Sequence, residues 1–152
     1  MHLCMLEQLM RLLKKQKKWT NMLRFQLDII TPTSITSFSD VSYLRIPALD
    51  GLTGIQSKHA NAIIALDIGE IKITINGKDE YFSTSGGFSD IKKEGVQLLL
   101  ETFESIKKID KERAKNSLTR AQKNFNNKSM DLQRAQQSIK RAKNRLKLIN
   151  KL

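Results

Sequence analysis

Hydrophobic and polar positions alternate through the middle of the chain. Leu23, Phe25, Leu27 and Ile29 are interleaved with Arg24, Gln26 and Asp28, the period of two that gives a strand one buried face. Ile71, Ile73 and Ile75 alternate with Lys72 and Thr74 and then run into Asn76-Gly77. That dipeptide tolerates the positive φ angles of a tight hairpin turn, so Tyr81-Phe82 reads as the returning strand. Val96, Leu98 and Leu100 follow a further turn at Lys93-Glu94-Gly95. Short strands with turn signals roughly every 8–12 residues predict a sandwich or barrel. The two prolines, Pro32 and Pro47, are expected at strand ends or edges, where a missing donor is tolerated.

From Ile106 the period changes. Ala114, Leu118, Ala121 and Phe125 are spaced 4, 3, 4, and Leu132, Ala135, Ile139, Ala142, Leu146 and Ile149 are spaced 3, 4, 3, 4, 3. Each set is an apolar stripe along a helix, with Phe125 and the leucines expected in the core. The polar break Asn126-Asn127-Lys128-Ser129 separates them, and so short a connection makes antiparallel neighbours. The fold expected is therefore an N-terminal all-β sandwich over residues 22–105, followed by a C-terminal antiparallel two-helix hairpin over 106–152. The hairpin's narrow seam gives it little core of its own, so it is expected to be marginal alone and able to leave its resting place. Residues 1–21 make a third piece, in which Leu3, Leu6, Leu9, Met10 and Leu13 form an apolar helical stripe ahead of a basic run. One reading is an amphipathic membrane-surface segment with a superficial likeness to a targeting peptide. The other, which composition favours, is an atypical extension ahead of a domain that begins at Met22.

A length of 152 residues suits one compact domain or two small ones. No apolar run approaches the roughly 20 residues of a membrane-spanning helix. The single cysteine, Cys4, has no internal disulfide partner and fits a reducing compartment. Charge changes the picture more. Residues 1–21 carry a net +4, residues 22–106 a net −4, and residues 107–152, with 15 bases against 3 acids, a net +12. The tail is therefore expected to seek an acidic partner. Two histidines and one cysteine are too few for a zinc finger, and no metal site is expected. His59 stands without a nucleophile or carboxylate constellation, so a structural or interface role is expected. Gly86-Gly87 lacks the rest of a phosphate-loop string and reads as a turn. With no nucleophile–base pair and no supported carboxylate dyad, the chain is not expected to be an enzyme by itself.

Several strings, taken in order, resemble the ε subunit of F-type ATP synthases over about residues 22–152. Thr31-Pro32 closes the first strand, Ile46-Pro47-Ala48 leads to Gly51, Gly54-Ile55 and His59-Ala60, Ser85-Gly86-Gly87-Phe88 forms a turn, and Ile109-Asp110-Lys111-Glu112-Arg113-Ala114 opens the first helix. Two departures stand out: Leu52-Thr53 replaces the acidic residue between the paired glycines, and Ser57-Lys58 replaces Pro-Gly ahead of His59. The resemblance implies a non-catalytic rotor subunit peripheral to the bacterial cytoplasmic membrane, on its cytoplasmic side. It implies that the sandwich binds the γ subunit and the c-ring, with Gly51, Gly54, Ile55 and His59 in the c-ring-facing loop. The hairpin would switch between a folded form and an extended one that enters the α/β catalytic head, meets acidic segments of β, and impedes ATP hydrolysis. No cofactor is required, but ATP is implied as a regulatory ligand of the folded hairpin, held by Glu104, Ile109, Asp110, Arg113, Ala114, Arg120, Arg141 and Arg145.

Helical spacing agrees in part, since Asp110 and Arg113, Arg113 and Arg120, and Arg141 and Arg145 each share a helix face. Guanidinium forks suit phosphate oxygens, and a carboxylate suits an adenine amino group. The plainer reading of the same residues is a capping Asp110 and a solvated basic face. Two other functions compete. A nucleic-acid-binding protein would use the basic tail non-specifically, although Phe125 is its only aromatic residue and base stacking would be poorly served, so no specific nucleic acid is expected. A membrane-surface protein would be anchored by residues 1–21.

Overall fold

A computed structural model describes residues 2–126 and 131–151. Helix α1 (His2–Met22) comes first, and from Met5 to Leu13 its large apolar side chains Met5, Leu6, Leu9, Met10, Leu12 and Leu13 are all exposed. Nine strands follow: β1 (Phe25–Ile30), β2 (Ile35–Ala48), β3 (Gly51–Ile55), β4 (Ala62–Leu66), β5 (Gly69–Ile75), β6 (Lys78–Thr84), β7 (Gly87–Lys92), β8 (Gly95–Leu100) and β9 (Phe103–Ser105). The order is β1-β8-β7-β4-β2-β5-β6-β9, with β3 added to β2 and β1 returning to β2. The long β2 closes the structure because its first half pairs with β1 and its second half with β5 and β3. Two layers result, and the expected sandwich is the fold.

Alternation explains the core. Leu27, Ile29, Ile71, Ile73 and Leu98 point between the layers and are fully buried with Leu44, Ile46 and Ile55. At Asn76-Gly77 both residues take positive φ, +51° and +76°, and Ile71 pairs with Phe82 across the hairpin as expected. Phe82 stacks on Phe103 at 4.4 Å and meets Phe38 edge-on at 5.9 Å, closing the end where β9 leads to the helices. Leu23 is a correction. It lies outside β1 and is exposed, because pairing with β2 begins at Phe25 opposite Val41.

After a 3₁₀ turn (Ile106–Lys108), α2 (Lys111–Phe125) and α3 (Leu132–Ile149) form the helical pair. The α2 start shares a cavity with Arg145 and the α2 end shares another with the α3 start, so the helices run antiparallel. Ala114, Ala121, Ala135 and Ala142 are buried along the seam, where small side chains let the backbones approach. Both helices start on an aspartate. Asp131 Oδ1 accepts from the backbone N–H groups of Gln133 and Arg134 at 3.0 and 3.2 Å, satisfying donors that the helix itself leaves open. Two residues expected in the stripe are corrections: Phe125 and Leu132 are exposed, since they lie beyond Ala121 and Ala135 at the open end. Conversely Leu148, off the stripe, is fully buried. Of the polar break, residues 127–129 lie outside the described residues.

Candidate functional site

Where the sandwich hands over to the helices, three parts of the chain converge. Glu104 comes from β9, Lys108, Ile109 and Asp110 from the connection, Arg113, Ala114 and Ser117 from the first turns of α2, and Arg145 from α3. They line one cavity of about 180 Å³. This is below the roughly 300 Å³ at which small-molecule pockets usually begin, so a nucleotide-sized ligand would be enclosed at one end only. Six of the eight residues singled out for ATP line it: Glu104, Ile109, Asp110, Arg113, Ala114 and Arg145.

The side chains are partly committed. Asp110 caps α2, its Oδ1 accepting from the N–H groups of Glu112 and Arg113 at 2.9 and 3.1 Å, while among the described residues its Oδ2 accepts no hydrogen bond. Arg145 donates through Nε and a terminal nitrogen to the two Glu104 oxygens at 2.8 and 3.0 Å, a fork-to-fork pair. A phosphate reaching Arg145 must displace Glu104. Among the described residues Arg113 has no ion-pair partner, and it is exposed, so its guanidinium is available to an anion. Arg120 and Arg141 are not in the cavity: Arg120 is exposed on α2, and Arg141 donates to Ser138 Oγ at 3.2 Å. Lys108 and Ser117 line the cavity without having been anticipated; Ser117, four residues after Arg113, was legible from helical spacing.

The loop residues singled out for a c-ring do not form one patch. Gly51 is at the β2–β3 turn with φ +139°, and Gly54 packs under the Tyr43 ring. Ile55 is fully buried in the core. His59 lies at the other end of β3, in a small basic cavity with Arg24, Lys58, Lys92 and Lys93. Its Nδ1 bonds the carbonyl of Ala60 at 2.8 Å, a local tie that fixes the ring.

A second surface emerges only from strand register. Ile30 pairs with Leu99, Leu99 with Phe88, and Phe88 with Ala65. This row crosses β1, β8, β7 and β4 on the face turned away from the core, and Leu99 and Phe88 are 46% and 57% exposed, with Ile63 nearby at 77%. Exposed aromatic and aliphatic side chains gathered on one sheet face mark an interaction surface.

These features define a two-part docking protein: a sandwich with one apolar outer face, carrying a basic helical pair on another. The family model described as ATP synthase, Delta/Epsilon chain, beta-sandwich domain matches residues 24–106, and the companion model described as long alpha-helix domain matches residues 107–150. The ATP synthase epsilon chain of Desulforamulus reducens is 34% identical over 124 residues, covering 80% of this chain and 94% of that one. That of Staphylococcus haemolyticus is 35% identical over 124 residues, covering 80% and 93%. The chain belongs to the ATP synthase delta/epsilon family, and its place in that complex is that of the epsilon subunit. A chain in the Euglena gracilis mitochondrial ATP synthase (OSCP/F1/c-ring) shares the fold at TM-score 0.70 and 15% identity, over 79% of this chain and 78% of its own. A chain in the Tetrahymena thermophila central stalk/c-ring shares it at TM-score 0.53 and 15% identity, over 84% and 94%.

Proposed function

We propose that this epsilon subunit is a non-catalytic coupling and regulatory part of the rotor, with no active site of its own. The apolar row of Phe88 and Leu99 docks on the γ subunit, and the β2–β3 turn, with Leu49 and Leu52 exposed, meets the c-ring. The subunit is peripheral to the membrane, on the cytoplasmic side in a bacterial cell. Among the described residues no helix is long and apolar enough to cross a membrane. The basic helices switch between the folded pair and a form extended into the α/β head, where acidic segments of β attract them and ATP hydrolysis slows.

One observation carries the regulatory reading: the cavity draws its walls from the sandwich, the start of α2 and α3 together. A ligand held there contacts all three only while the hairpin is folded, so its binding energy is available to that state alone. ATP fits in part. Arg113 and Lys108 offer cations to phosphate, the free Oδ2 of Asp110 offers an acceptor to the adenine amino group, and Arg145 joins when Glu104 releases it. The test is ATP hydrolysis by the catalytic head with γ, reconstituted with the full chain or with residues 1–106. Slower hydrolysis with the full chain only, relieved by ATP, is the expected result. Equal rates with both forms bound would reduce the protein to a structural coupler.

A further inference from the structure

Helix α3 has two working faces, and only one of them is apolar. Ala135, Ile139, Ala142 and Leu146 face the seam. Lys140, Asn144, Leu148 and Lys151 are spaced 4, 4, 3, so they share a different face, and that face lies on β5 and β6. There Asn144 Nδ2 donates to the Gly69 carbonyl at 2.9 Å and to Ser83 Oγ at 3.0 Å, with Ser83 itself buried. Lys140 pairs with Asp67 just before β5. Lys151, just past the helix end, pairs with Glu70 and sits 5.3 Å above the Tyr81 ring. Glu70 is nearly enclosed and also pairs with Arg45. Leu148 is the one large apolar side chain on this face, and it is fully buried.

We propose that this face is an electrostatic latch: Lys140 on Asp67 and Lys151 on Glu70 close around the Asn144 anchor, and ionic strength at these two pairs sets how much of the chain keeps α3 docked. The inference rests on the folded hairpin being one of two states, and adds which contacts hold it. These pairs lie apart from Arg145 and the cavity, so they act whether or not ATP is bound. Their lysines are 53% and 40% exposed, which makes them sensitive to salt, whereas a latch of buried leucines would not be. An ion pair of this exposure contributes little alone, so the two pairs tune a balance that the Asn144 hydrogen bonds and the buried Leu148 also hold.

The test uses the full chain with Cys4→Ser and a nitroxide on Lys143→Cys, reading paramagnetic broadening of the β5–β6 amides. Lys140→Gln with Lys151→Gln should raise the undocked fraction about fivefold, the loss of two half-exposed pairs, and raising salt from about 20 to 500 mM should do the same to the parent chain. The helix-side lysines are chosen because removing Glu70 would strand the Arg45 guanidinium, whose Nε is already buried without a partner. Arg134→Gln, on the exposed start of α3, removes a positive charge from the same helix without touching the latch and should change nothing. Exchanging the charges, Asp67→Lys with Lys140→Asp, should restore docking. Broadening unaffected by the double variant and by salt, or an equal response to Arg134→Gln, overturns the latch. Because docking is read in the isolated chain, a latch that responds while hydrolysis does not would remove the inhibitory role and leave the latch standing.

Discussion

Asp110 caps α2 and, in the proposed function, also meets ATP, and two substitutions separate these tasks. Its Oδ1 caps α2 through bonds of 2.9 and 3.1 Å from the N–H groups of Glu112 and Arg113, and the residue lines the cavity shared with Arg113 and Arg145, where Oδ2 is the oxygen not used by the cap. Asparagine caps about as well as aspartate, but an amide placed with its oxygen on the cap turns an N–H₂ donor toward the cavity. Asp110→Asn should therefore keep the helix and replace the ligand's acceptor by a donor. Asp110→Ala loses both. The cap is worth about 1 kcal/mol, which would speed amide exchange in the first turns of α2 roughly fivefold in the alanine variant only. A charge-assisted bond to an adenine amino group is worth about 1.5 kcal/mol at this partly open site, so ATP affinity should fall about tenfold in both variants. Hydrogen exchange reads the first quantity and titration calorimetry with ATP the second. Unchanged ATP affinity in Asp110→Asn would leave Asp110 a cap and nothing more. Equal exchange in the two variants would refute the capping argument.

Gly87 leaves no room for a side chain between β7 and β8: a Cβ there would sit 1.9 Å from the Leu99 carbonyl oxygen, at φ +145°, whereas Gly51 has φ +139° and open space. Gly87→Ala should cost about 3 kcal/mol and Gly51→Ala about 1, since only the first must move a paired strand; equal losses in thermal melts would contradict this. Lys58 holds φ +65° at the position where the resemblance expects glycine. Lys58→Gly should relieve about 1–2 kcal/mol of left-handed strain against about 1 kcal/mol of added chain entropy, raising the melting temperature by about 1–2 °C, and a fall would show that the side chain supports the loop. The hydrogen bond from Lys140 holds the Asp67 carboxyl below its ordinary 3.8, opposed by desolvation and helped by the Ile68 N–H. Its contribution to docking is then complete above the unfolded value and lost as pH falls through the lower folded one. Docking should weaken below about pH 4 in the parent chain, and Asp67→Asn should flatten that response in the same broadening assay.

The sandwich was legible because its information is local: Ile71, Ile73 and Ile75 state a buried face by alternation, and Asn76-Gly77 states the turn that follows. The seam was legible for the same reason, with an alanine at every second contact. The apolar row on the outer face was not, because Phe88, Leu99 and Ala65 become neighbours only when three strands fall into register, and no single strand shows more than one exposed hydrophobic out of phase. The docking face of α3 was hidden differently. Lys140, Asn144 and Lys151 look like the solvated side of an amphipathic helix, and pattern reading assigns such residues to water. They meet protein because Asp67, Glu70 and the Gly69 carbonyl gather at one end of β5, opposite the helix. This asymmetry bears on the switch. A helix held on both faces by leucines would not leave in water, since each would expose about 1.5–3 kcal/mol of apolar surface. An α3 that spends most of its apolar side chains on α2 and meets the sandwich through Leu148 and exchangeable polar contacts gives up the burial of one leucine on leaving, and under the proposed switch water and acidic segments of a partner would replace the polar part.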